Sequence, residues 1–135
     1  MAKKTKINWQ SEAAKKDYQA ARDYLRLLFS DKDASAIVEK LRKAPTIQFQ
    51  AKDILRASQT HLLEKNAPEV AHNLKKIKKG KKLSPVLLVR GDGSVGATLT
   101  IADGYHRICA SWHWDEKCPV ACYLVDHPHA RRGGR

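Results

Sequence analysis

The chain has 135 residues, which accommodates one domain and a small addition. Apolar residues make up 42% of it, which excludes the low-hydropathy class of disordered proteins. The formal net charge of +12 favours a polyanionic partner, whether nucleic acid, nucleotide phosphates or an acidic membrane surface. The excess of basic residues lies in residues 1–90, whereas residues 91–135 carry 5 basic and 5 acidic side chains.

The cysteines and the apolar segments indicate the cellular compartment in which the protein is found. All three cysteines lie in the last third of the chain, and this odd number implies no disulfide framework. No apolar run approaches the roughly 18–20 residues of a membrane span. The first residues lack the apolar region of a signal peptide. We therefore expect a cytoplasmic protein without a membrane partner.

Residues 1–45 predict two helices. After Ser11 and Glu12, apolar side chains recur at helical spacing on one face, namely Ala14, Tyr18, Ala21, Leu25 and Leu28. A second, shorter helix begins at Asp31 or Asp33, ends before Pro45 and points Ile37, Val38 and Leu41 inward. Because its apolar stripe needs a partner, we expect this N-terminal helical extension to pack on the domain that follows.

Residues 46–126 predict a domain of mixed α/β (α+β) class. Strands are expected over 46–50, 85–89, 97–102 and 120–125, and the second and third of these form a hairpin through the turn at 91–93. Pro68 begins a helix that ends near Gly80 and buries Val70, Leu74 and Ile77. A last helix runs from Asp103 to about His113, and residues 127–135 form a basic tail.

The chemistry is predicted at the turn from the third strand into the last helix. Gly104 permits a sharp turn and the close approach of an anion. The N–H groups of Tyr105, His106 and Arg107 would point out of the helix N-terminus, where the helix dipole favours negative charge. Arg107 can fork onto phosphate oxygens, and Asp103 would cap the helix or hold Mg²⁺. The alternative is an ordinary helix N-terminus with solvent-facing first-turn side chains.

From Ile47 to Val125 the chain resembles the ParB/sulfiredoxin superfamily. The resemblance rests on Leu83-Ser84-Pro85 at the second strand, on Ile101 to Ala110 around the turn, and on Pro119-Val120 opening the last strand. In that family a Gly-x-x-Arg-x-x-Ala loop binds nucleotide phosphates, and Gly104, Arg107 and Ala110 match it. The resemblance implies a small ParB/sulfiredoxin-like fold that binds a nucleoside triphosphate or diphosphate with Mg²⁺.

The chain departs from the family's motifs in two respects, and each limits the functions that the resemblance implies. Sulfiredoxins carry a catalytic cysteine where this chain has Tyr105, so sulfinic-acid reduction is not expected. ParB proper has two arginines in the loop and a DNA-binding domain after it, whereas here His106 precedes Arg107 and the chain ends soon after the last strand. The Asp-Gly-x-His-Arg form most resembles free-serine-kinase-like members, in which a carboxylate acts as base. Asp53 or Glu64 would then be that base.

A lysine run provides the alternative function. Six lysines fall within eight residues: Lys75, Lys76, Lys78, Lys79, Lys81 and Lys82. Such a run suits a nucleic-acid backbone, but it is equally typical of a solvated helix end. The chain is therefore expected to be a nucleotide-binding phosphotransferase or hydrolase, or else a DNA- or RNA-binding accessory protein or metal-dependent nuclease. Whether it is an enzyme, and its oligomeric state, stay open.

A structural zinc site is not expected. The histidines and cysteines of the last third lack the spacing of a Cys-x-x-Cys knuckle. Cys109 and Cys122 are interpreted as small apolar core residues, and His127 and His129 as exposed side chains near the end of the chain.

Overall fold

The computed structural model describes residues 6–128. Within this range the chain forms an α+β fold of five α-helices and four strands. The elements in chain order are α1 (Lys15–Leu25), α2 (Asp31–Lys43), β1 (Ile47–Gln50), α3 (Ala51–Ser58), α4 (Pro68–Lys78), β2 (Val86–Val89), β3 (Thr100–Asp103), α5 (Tyr105–Trp114) and β4 (Pro119–Val125). A short 3₁₀ turn, Gly93–Val95, joins β2 to β3.

The four strands form one mixed sheet in the order β1-β4-β2-β3. Strand β4 pairs antiparallel with β1 and parallel with β2, so that Cys122 lies opposite both Ile47 and Val86. Strand β2 pairs antiparallel with β3, which confirms the predicted hairpin. The carboxyl end of β3 leads directly into α5, so the loop at Gly104 emerges beside the central strand β2.

Helices cover both faces of the sheet. Val86 and Leu88 of β2 belong to one core cluster, with side chains from α3, α4 and α5. Leu87 and Val89 belong to a second cluster, with side chains from α1 and α2. This burial on both sides explains why β2 is a continuous apolar run. The two helices of the predicted N-terminal extension thus form a whole layer of the fold.

Most predicted elements are confirmed, with differences at their ends. Ile37, Val38 and Leu41 of α2 are buried, as predicted. Leu28 is predicted on the buried stripe, but it is 52% exposed because α1 ends at Leu25. The sequence pattern of residues 51–66 is ambiguous and indicates a helical turn at 51–55 followed by a loop, whereas the structure has the regular helix α3 at Ala51–Ser58.

Two further predictions concern the ends of the chain and the membrane. The predicted basic tail lies outside the described residues, apart from His127 and Pro128, and so does His129. Within residues 6–128, no helix has both the length and the apolar character needed to cross a bilayer.

Candidate functional site

Gly104 shapes the turn from β3 into α5. Its φ of +107° lies in the left-handed region, which side chains with a Cβ rarely adopt. A Cβ at this position would lie 2.5 Å from Cγ1 of Val86 and 3.0 Å from Nη2 of Arg107. The turn therefore packs so closely on β2 that only glycine fits.

The N-terminus of α5 opens into a cleft of about 300 Å³. The first intrahelical hydrogen bond runs from the N–H of Ile108 to the carbonyl of Gly104, at 3.0 Å. The N–H groups of Tyr105, His106 and Arg107 precede this bond and have no acceptor within the helix. All three residues line the cleft, so an anion there would meet the positive end of the helix dipole.

Arg107 lines the cleft and makes three hydrogen bonds to the protein. Its Nη1 donates to Oδ2 of Asp17 at 3.0 Å and to the carbonyl of Ser84 at 2.7 Å. Its Nη2 donates to Oδ2 of Asp103 at 2.7 Å, and the side chain is 13% exposed. These contacts use three of the five N–H donors of the guanidinium, so two donors are left for the predicted contact with phosphate oxygens. As observed, Arg107 links α1, the segment before β2 and the loop.

Asp103 does not cap the helix, which is one of the two roles that its position before α5 predicts. Gly104 occupies the N-cap position of α5, and the Asp103 carboxylate turns toward Arg107 instead. The physical reason is that α5 begins at Tyr105, which puts Asp103 one residue before the N-cap, and that its carboxylate is held by the Arg107 guanidinium.

Asp17 is the site residue that sequence analysis missed. It is 7% exposed, and its Oδ2 also accepts a 2.5 Å hydrogen bond from Oγ of Ser84. That hydroxyl in turn accepts from the N–H of Ala14, at 3.0 Å. A signal existed: Asp17 lies on the same helical stripe as Ala14, Tyr18 and Ala21, where a charged side chain needs a buried partner.

The pKa of Asp103 is raised to about 6. Burial of the carboxylate is the main cause, and the nearby Asp17 carboxylate acts in the same direction. The Arg107 guanidinium opposes both, but does not outweigh them. A carboxyl group that titrates near pH 6 beside a helix N-terminus is able to exchange a proton at physiological pH.

We expect this pKa to appear as a pH dependence of stability. The folded protein holds the Asp103 proton more tightly than the unfolded chain, so the stabilising contribution is present below about pH 4 and is lost as pH rises through about 6. The loss amounts to roughly 2–3 kcal/mol. Asp103→Asn cannot ionise, so its urea-unfolding free energy should fall less between pH 4 and pH 7 than that of the wild type. Parallel pH profiles of the two proteins would contradict the assignment.

Three lysines from different parts of the chain surround the cleft: Lys16 of α1, Lys76 of α4 and Lys82 of the segment before β2. Lys76 and Lys82 belong to the lysine run, so the structure brings part of that run to the predicted phosphate loop. The other four lysines of the run, Lys75, Lys78, Lys79 and Lys81, are exposed and do not line the cleft.

His106 and Tyr105 each contact a residue in α4 or in the segment before it. Nδ1 of His106 lies 2.8 Å from Oε2 of Glu69 on α4, an ion pair when the imidazole is protonated. The hydroxyl of Tyr105 donates to the carbonyl of His61, which lies in the segment between α3 and α4. The first turn of α5 is thus anchored to α4 and to the segment before it.

The structure does not bring the two predicted catalytic carboxylates to the loop. Asp53 is on α3, where it pairs with Lys52 at 3.0 Å and with Arg56 at 3.5 Å, and it lines a separate pocket. Glu64 is exposed in the segment between α3 and α4 and lies outside the lining of the cleft. Asp17 and Asp103 are the carboxylates beside the loop.

The same geometry disfavours Asp103 as a Mg²⁺ ligand. Its Oδ2 lies 2.7 Å from Nη2 of Arg107, so a cation on that oxygen would meet a like charge. In the part of the chain that the structure describes, no group of three or more His, Cys, Asp and Glu side chains could hold a metal ion.

Cys109, Cys118 and Cys122 are buried free thiols, and burial raises the pKa of each.

Comparison with protein-family models, with curated proteins and with solved structures found no match to this chain.

Proposed function

We propose that the cleft at the N-terminus of α5 binds the phosphates of a nucleoside diphosphate or triphosphate. The observation that carries the proposal is that one cleft is lined both by the first turn of α5, whose three leading N–H groups have no acceptor within the helix, and by three lysines. Backbone N–H groups at a helix N-terminus hold phosphate oxygens directly. Membership of the ParB/sulfiredoxin superfamily is part of this proposal and rests on the sequence motif.

The charge balance of the cleft favours an anion. Arg107 neutralises part of the charge on Asp17 and Asp103, and Glu69 pairs with His106. None of the ion pairs found within residues 6–128 involves the three cleft lysines. Their charges are therefore available to an incoming phosphate chain, whose negative charge is spread over several oxygens.

The reaction that best suits this cleft is phosphoryl transfer or hydrolysis. Such reactions depend mainly on positioning and on neutralising charge at the phosphate oxygens, which helix N–H groups and lysines supply. A proton acceptor is also required for an attacking hydroxyl or water. We favour Asp103 over Asp53 and Glu64, since Asp103 lines the cleft and its pKa is about 6.

The lysine run offers a matched test of the proposal. Lys76→Gln/Lys82→Gln removes two charges from the cleft, whereas Lys78→Gln/Lys79→Gln removes two charges outside it. In isothermal titrations with ATP, CTP, GTP and tripolyphosphate, the cleft pair should weaken binding about tenfold or more. The control pair should leave the Kd close to the wild-type value. Equal effects of the two pairs, or binding that neither changes, would overturn the proposal.

Nucleic-acid binding is the second candidate function. It is favoured by the four lysines of the run that face solvent at the end of α4, away from the cleft. A phosphate backbone bound there would release counterions, and log K would fall steeply with log salt concentration. In that case Lys78→Gln/Lys79→Gln would reduce the salt dependence by about two phosphate contacts, while nucleotide binding would stay unchanged.

A further inference from the structure

A second, larger groove adjoins the cleft. It has a volume of about 750 Å³ and lies between α1, the segment 58–61 and strand β3. Asp103, Gly104, Tyr105 and His106 line both the groove and the cleft. The two spaces therefore lie on either side of the same four residues at the start of α5, which places them next to each other.

The groove differs from the rest of the surface in its charge. Of the 135 residues in the chain, 26 are Lys or Arg. Among the described residues that line the groove, none is Lys or Arg, whereas the smaller cleft has three lysines and Arg107. The cleft thus suits the anionic end of a ligand, and the groove suits an uncharged end.

The groove also presents apolar surface and hydroxyl groups. Tyr24 and Leu28, on and just after α1, line it and are 45% and 52% exposed. Thr98 and Thr100 also line it, as do Ser58 and Thr60, whose hydroxyl groups are hydrogen-bonded to each other at 2.8 Å. An exposed aromatic ring is a stacking surface for a flat heterocycle, and hydroxyl groups donate to and accept from its edge and from a sugar.

We infer that this groove binds the nucleoside part of the nucleotide whose phosphates occupy the cleft. The inference rests on the proposed function. It places the base and the sugar of that ligand near Tyr24 and Leu28. It also assigns a role to Leu28, whose exposure contradicts the predicted apolar stripe. Affinity for a nucleotide should therefore exceed affinity for an inorganic phosphate chain of the same charge.

The test compares nucleotides with tripolyphosphate on the full chain. Tyr24→Ala/Leu28→Ala removes apolar surface from the groove without changing charge, and Leu27→Ala is the matched control, since Leu27 is 81% exposed and does not line the groove. Tyr24→Ala alone serves as a second groove variant, and circular dichroism checks the fold of each protein. Binding is measured by isothermal titration with ATP, CTP, GTP, UTP and tripolyphosphate.

The expected result is that the wild type binds its preferred nucleotide at least about tenfold more tightly than tripolyphosphate, which is the usual effect of stacking one base on an aromatic side chain. The double variant should lose that advantage and keep the tripolyphosphate Kd, while Leu27→Ala changes neither. Equal wild-type affinities for nucleotide and tripolyphosphate, or equal weakening of both in the double variant, would overturn the inference alone. Absence of tripolyphosphate and nucleotide binding in the wild type would overturn the proposed function as well.

Discussion

Replacing Gly104 with alanine is expected to lower the free energy of unfolding by about 3 kcal/mol, and the Tm by roughly 10 °C. Two effects add at this position. A side chain with a Cβ is strained at a φ of +107°, and the new Cβ would overlap Val86 at 2.5 Å. Thermal and urea unfolding measure the loss, and phosphate binding at the N-terminus of α5 should weaken with it.

Two other glycines separate the conformational effect from the steric one. Gly96 has a φ of +70°, and no atom lies within 4 Å of the place that a Cβ would take, so Gly96→Ala carries the conformational cost alone. Gly93 lies in open space without a left-handed φ, so Gly93→Ala should be close to neutral. The expected order of destabilisation is Gly104, then Gly96, then Gly93. A Gly104→Ala protein as stable as the Gly93→Ala protein would show that the turn tolerates a side chain.

The local features of the site are predictable from the sequence because they depend on neighbours along the chain. A buried apolar run, a Gly-containing turn and an apolar helical stripe specify the succession of β2, β3 and α5. Gly104 is recognisable because the dipeptide Asp103-Gly104 separates a strand pattern from a helix pattern. The capping role predicted for Asp103 is wrong, although a carboxylate before a helix usually caps it.

The contacts of Arg107 could not be predicted in this way, because they are distant in sequence. Asp17 and Arg107 are 90 positions apart, and they meet only because α1 packs against the sheet beside β3.

The face of α4 that lines the cleft, which includes Lys76, was easier to predict than the contacts of Arg107. Glu69, Asn73 and Lys76 follow helical spacing on α4 and all line the cleft. The sequence therefore identifies the face of α4 that these residues share, once it is known that this helix lies beside the phosphate loop.

The largest single loss of stability should come from removing the Arg107 charge. Arg107→Met leaves the carboxylates of Asp17 and Asp103 without their shared cation, although their side chains are only 10% and 21% exposed. Breaking a buried ion pair from one side costs about 3–5 kcal/mol. Urea unfolding at pH 7 should show a loss of this size, and the loss should shrink at pH 4, where Asp103 is protonated in the folded protein.

A double-mutant cycle distinguishes this structural role from a direct phosphate contact. Compared with Arg107→Met, the double variant Arg107→Met/Asp103→Asn lacks the unpaired carboxylate charge of Asp103. The double variant should therefore be more stable at pH 7 than Arg107→Met alone. If Arg107→Met is as stable as the wild type, the three contacts of Arg107 do not hold the loop. Loss of nucleotide binding in an Arg107 variant therefore identifies Arg107 as a residue that binds phosphate only when the variant is shown to be folded. The lysine pair at 76 and 82 tests the cleft without that complication, because neither side chain takes part in the ion pairs found within residues 6–128.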